Sequence, residues 1–126
     1  MFKLAVNPTY TATVKVAIPS DGGKTIQREF QAEFKRLTQS ELDEINDRLL
    51  GFKSKEGEED YEEVERLTDD ELVRMVMVGW AGVQDESGAD LEFNEANLSA
   101  LLDVFPVRPS IVKTFFATIG GAKVKN

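Results

Sequence analysis

Thr11-Ala12-Thr13-Val14-Lys15-Val16-Ala17-Ile18 alternates in steps of two, with Ala12, Val14, Val16 and Ile18 on one side and Thr11, Thr13, Lys15 and Ala17 on the other. That period marks a strand with one buried face, and its β-branched residues suit a pleated surface. Pro19-Ser20-Asp21-Gly22-Gly23 follows with turn chemistry. A second alternating run then places Ile26, Phe30, Ala32 and Phe34 inward and Thr25, Gln27, Glu29, Gln31, Glu33 and Lys35 outward, with Arg28 the one polar residue on the apolar side. The two runs predict an N-terminal antiparallel β-hairpin.

Beyond the hairpin the period lengthens. Thr38 followed by Glu41 is the signature of a capping box, and Leu42, Ile45, Leu49 and Phe52 fall at helical spacing behind it, with Gly51 weakening the end. Thr68 and Glu71 repeat the signature. Leu72, Met75, Val76 and Gly79 then mark one helical face, widened by Val73, Met77 and Trp80, which predicts a central helix ending near Gly79 or Gly82. Trp80 to Phe93 reads as a turn between short extended pieces, in which Val83 and Leu91-Glu92-Phe93 pair as a small second hairpin. Asn94 caps a short helix carrying Leu98, Leu101 and Leu102, and Phe105-Pro106 breaks it. A last helix starts near Arg108-Pro109 and carries Ile111, Val112, Phe115, Phe116 and Ile119. The expected fold is α+β: the hairpin followed by a bundle of about four helices, in a single domain over 1–126. Residues 53–60 carry no apolar side chain and are expected to form a mobile acidic loop, and 120–126 a basic C-terminal tail.

Composition narrows the function. The chain has no cysteine and no histidine, which removes disulfides, the usual zinc ligands, the commonest general base and most activated nucleophiles. The net charge is −8, and from Lys53 to Glu71 ten acidic residues stand against three basic ones. Such a chain repels phosphate backbones, so nucleic acid is not an expected partner. No apolar run nears the roughly 20 residues a membrane helix needs, so no membrane partner is expected and the chain reads as soluble and intracellular.

Four stretches resemble chemical motifs and fail on inspection. Counted from Asp85, a calcium loop needs glycine at position six and glutamate at position twelve, where Asp90 and Ala96 stand. The acidic cluster from Glu58 to Glu65 is too well solvated to supply a carboxylate of raised pKa. Gly22-Gly23-Lys24-Thr25 lacks the earlier glycine of a phosphate loop and lies in a hairpin. Trp80 could serve as a ligand platform, but reads better as a core residue packed by the aromatics of the last helix. No catalytic residue, cofactor site or metal site is assigned, and a binding protein is expected in place of an enzyme.

The order of elements, together with Gly79-Trp80-Ala81-Gly82-Val83, the acidic turn Asp85-Glu86-Ser87-Gly88, the helix start from Phe93 to Leu98, Leu101-Leu102 and Val107-Arg108, resembles the tail assembly chaperones of long-tailed phages and prophages. The resemblance implies a non-enzymatic role in tail morphogenesis in the host bacterial cytoplasm. It implies binding to the tape measure protein, which is kept soluble until the major tail protein polymerises around it. A client helix laid into an apolar groove makes Met75, Met77, Trp80, Phe115 and Phe116 the candidate partner-binding residues. The basic tail meeting the acidic segment of a neighbouring copy would give a salt-sensitive homo-oligomer. A structural tail subunit, tube or terminator, is the alternative, and an acidic nucleic-acid mimic a more distant one.

Overall fold

The computed structural model describes residues 1–4, 6–54 and 61–120. Strands β1 (Thr9–Pro19) and β2 (Thr25–Lys35) pair antiparallel along their full length, with Val14 opposite Phe30 and Pro19 opposite Thr25. A single 3-10 turn at Asp21–Gly23 joins them, closed by the Ser20 N–H donating to the Lys24 carbonyl at 2.8 Å. Val14, Val16, Phe30, Ala32 and Phe34 are buried on the inner face, as their alternation requires. Ile26 and Arg28 lie on the same side yet are exposed, because the turn end of the hairpin projects past the helices. Arg28 is tolerated there, its guanidinium donating to the Gln27 carbonyl in water.

Helix α1 (Gln39–Leu50) opens on the expected capping box. It stops at Gly51, which takes a left-handed φ of 82° and donates its N–H to the Asp47 carbonyl. Phe52 therefore leaves the helix, contrary to the sequence reading, and starts strand β3 (Phe52–Ser54), which pairs with β4 (Tyr61–Glu63) in a small second sheet. Lys53 sits opposite Glu62 in that ladder, a favourable cross-strand charge pair. Most of the stretch read as an acidic loop, residues 55–60, lies outside the described residues, as do 121–126 of the basic tail.

Helix α2 (Asp69–Val76) begins at its capping box but ends three residues before Gly79. Met77–Ala81 is strand β5, which pairs antiparallel with β2 and gives the main sheet the order β1-β2-β5. This corrects the long central helix. The register shifts between Glu33 and Phe34, so that Met77 lies opposite Phe34 and Gly79 opposite Glu33 while Val78 is left over as a bulge. Between Trp80 and Phe93 the chain turns back on itself: the Leu91 N–H donates to the Val83 carbonyl at 2.8 Å, and Gln84 and Asp90 form one bridge. Helix α3 (Glu95–Leu102) is capped by the Asn94 side chain, and α4 (Val107–Thr118) follows.

Helix α4 closes the core by packing on β1 and α2. Its Val107, Ile111 and Phe115, spaced by four, are all buried. Phe115 meets Phe34 edge-on at 5.4 Å between ring centroids, and the Tyr10 ring lies 5.9 Å from Phe34. The Tyr10 hydroxyl, hydrogen-bonded to Thr118 Oγ1 at 2.8 Å, fastens the end of α4 to the start of β1.

Candidate partner-binding surface

The five residues expected to meet a partner separate into two groups. Met77 and Phe115 are enclosed in the core, Met77 under Phe34 in the sheet and Phe115 against the same ring from the helix side. Trp80 is half-buried; its Nε1–H donates to the Leu91 carbonyl at 2.9 Å and its ring packs edge-on against Phe93 at 4.9 Å. Its stacking partner is therefore the turn after β5, where the sequence reading expected the last helix. Met75 is exposed on the last turn of α2, and Phe116 is half-buried with one side against Phe115 and the other towards solvent.

Phe116 opens onto a groove between α1 and α4. Leu42, Ile45 and Leu49 form one wall, Phe116 and Ile119 the other, and the hollow holds about 590 Å³. The reason lies in the periodicity. Helix α1 repeats apolar residues at i, i+3 and i+7, but of these only Ile45 is fully covered, so the outer edge of the stripe stays open. Helix α4 carries two apolar rows: Val107, Ile111 and Phe115 fill the core, which leaves Val112, Phe116 and Ile119 on its flank. A smaller hollow of about 240 Å³ continues from Leu42 and Ile119 towards Tyr10 and Arg36. Leu42, Leu49 and Ile119 were legible as helix-face residues, but not as a surface. The signal was present in their number, since two apolar rows on α4 exceed what one core face can cover.

The charged side chains near these elements serve the fold. Glu41 sits below its ordinary carboxylate range because the Thr38 backbone N–H donates to it, with Lys35 at 3.2 Å adding to the effect. Glu71 is lowered in the same way by the Thr68 backbone N–H and then the Thr68 hydroxyl. Arg74 bonds Asp70 at 2.9 Å, Glu95, and Ser99 at 3.0 Å, which ties α2 to α3; its pKa is raised chiefly by the Asp70 hydrogen bond. In the turn once compared with a calcium loop, Asp85 Oδ1 accepts from the Ser87 hydroxyl and the Ser87 and Ala89 N–H groups, and these bonds hold its pKa down, the hydroxyl most of all. Among the described residues no three acidic groups converge on a point where a metal ion could sit. No helix among them is long and apolar enough to cross a membrane.

Gly79-Trp80-Ala81-Gly82-Val83 is likewise a junction. A Cβ on Gly79 would come within 2.5 Å of Glu33 Oε1, so glycine lets the Glu33 side chain lie across the strand, where its Oε2 accepts from the Thr9 hydroxyl. Gly82, at φ 86°, turns the chain beneath Phe30 and brings Val83 into the core.

A family model described as phage tail assembly chaperone matches residues 1–126, the whole chain. No curated protein and no solved structure matches it.

Proposed function

The chain belongs to the phage tail assembly chaperone family, and on that premise we propose that it binds the tape measure protein in the host bacterial cytoplasm and keeps it soluble during tail morphogenesis. One observation carries the reading: the α1–α4 groove presents Leu42, Leu49, Phe116 and Ile119 to solvent along two helices. An amphipathic client helix recognised through residues at i, i+3, i+4 and i+7 fits such a surface, and the rim of Gln39, Asp43 and Asn46 supplies polar contacts at its edge. Met75 offers a second, adaptable apolar contact on α2. Met77 and Phe115 act from behind, as the packed layer that fixes Phe116 and β5. The net charge of −8 keeps a chaperone–client complex dispersed. The major tail protein is the natural second partner, since it displaces the chaperone as the tube grows.

Co-expression with the tape measure protein of the same phage region tests this. The client is expected to become soluble and to co-purify with the chain, and Phe116→Asp to abolish that rescue while the circular dichroism spectrum is unchanged. A client that stays insoluble and unbound beside the unaltered chain overturns the reading in favour of a structural tail subunit.

A further inference from the structure

The N-terminal arm is a further exposed apolar feature of this molecule. Phe2, Leu4 and Val6 occupy alternate positions and are 86%, 95% and 59% exposed. The arm's base is fixed. Arg36 donates its backbone N–H to the Pro8 carbonyl and its Nε–H to the Asn7 carbonyl, both at 2.8 Å, and its guanidinium lies over the Tyr10 ring at 5.1 Å. Arg36 and Tyr10 also line the small hollow that runs into the α1–α4 groove through Leu42 and Ile119. One chain therefore carries an exposed apolar segment and an open apolar groove, and the segment does not occupy the groove of its own chain.

We infer that the N-terminal arm docks in the α1–α4 groove of a second copy of this chain, so that two copies exchange arms about a two-fold axis. Three features fit arm to groove. The first is length: Phe2 to Val6 spans about 13 Å when extended, and Leu42 to Leu49 spans about 10 Å along α1. The second is pattern. In an extended segment Phe2, Leu4 and Val6 share one side at intervals of about 7 Å, and that side can lie along Leu42, Leu49, Phe116 and Ile119. The third is charge: Lys3 is the arm's one charged side chain, and the groove's described lining carries a carboxylate, Asp43, and no cation. Reciprocal exchange covers the arm and the groove of both copies, whereas a head-to-tail contact leaves one arm and one groove open at the ends. Arm and client helix compete for one groove, which the arm covers until a client displaces it. The inference goes beyond client binding and is tested on the chain alone, so a failed client assay leaves it untouched, and the reverse.

The absence of cysteine makes the test direct. Full-length Leu4→Cys and Asn46→Cys variants, differently tagged, are mixed and oxidised. The expected product is a disulfide-linked heterodimer, formed at least 10-fold faster than either homodimer. In sedimentation experiments the unaltered chain is expected to associate with concentration, and Phe2→Ser/Leu4→Ser to weaken association at least 10-fold with its circular dichroism spectrum unchanged, because neither residue touches the core. A chain that is monomeric at every concentration overturns the inference. So does association indifferent to the arm, or a Leu4→Cys/Asn46→Cys double variant that closes its disulfide only within one molecule.

Discussion

Helices α1 and α2 begin with the same hydrogen bonds. Thr38 Oγ1 accepts from the Glu41 N–H at 3.1 Å and the Glu41 carboxylate accepts from the Thr38 N–H at 2.9 Å; Thr68 and Glu71 do the same at 3.1 and 3.0 Å. From that common start they diverge. Helix α2 buries Leu72, Val73 and Val76 within eight residues and runs directly into a strand of the main sheet. Helix α1, half as long again, buries only Ile45 and leaves Leu42 and Leu49 half-covered on a groove. Capping decides where a helix starts, and the number of its side chains that lose water decides whether it belongs to the core or to a surface that can accept a partner.

The sharpest way to break this contrast is to truncate one leucine in each helix. Leu72→Ala removes a side chain only 1% exposed and is expected to cost about 2–5 kcal/mol, because both transfer energy and a cavity are lost. Leu42→Ala removes a half-exposed side chain beside an existing hollow and is expected to cost less than about half as much. Urea unfolding of the two variants measures the difference. Equal costs would mean that α1 is as much a part of the core as α2.

The same contrast explains what could be read from the residues alone. The hairpin was legible because period two is unambiguous over Thr11–Ile18, and both capping boxes because they are local chemistry. The end of α2 was not. The bulge at Val78 sets Met77 opposite Phe34 and Trp80 opposite Ala32, both on the buried face, so two apolar residues three apart share one side of a strand. That is the spacing of a helix, and a five-residue apolar strand joined to an apolar helix carries no other mark of its identity. The groove was illegible for a different reason. Leu42, Leu49, Phe116 and Ile119 belong to helices distant in sequence, and only the packing of α4 by its Val107–Ile111–Phe115 row leaves the second row facing α1. Met77 and Phe115 were grouped with Phe116 because polarity alone does not separate a core row from its neighbour.

Removing each cap comes next in size. Thr38→Ala and Thr68→Ala are each expected to cost about 1 kcal/mol of helix stability, but the losses should appear in different places. In α2 the loss should lower the global unfolding midpoint, because the helix leads into β5 and the core. In α1 it should appear chiefly as faster hydrogen exchange of α1 amides, because a helix with one enclosed residue can open by itself. Hydrogen exchange resolved by residue, set beside urea midpoints, separates the two, and identical global shifts would contradict the division.

The smallest effect concerns the two glutamates of the boxes. Both have pKa values in the folded chain below the ordinary value of 4.5, first because a backbone N–H donates to each. A depressed carboxylate stabilises the fold at every pH above its unfolded value, and that contribution is lost as pH falls through the folded value. Both boxes should therefore weaken only in acid, below about pH 4.5. Their second causes differ. Glu41 is next assisted by Lys35, an exposed partner at 3.2 Å that salt screens, whereas Glu71 is next assisted by the uncharged Thr68 hydroxyl. Lys35→Gln should then move the Glu41 titration, followed by NMR, towards its ordinary value and leave Glu71 where it is. Added salt should act in the same direction on Glu41, and a Glu71 that moved as far would mean that its box, too, is held by a charge.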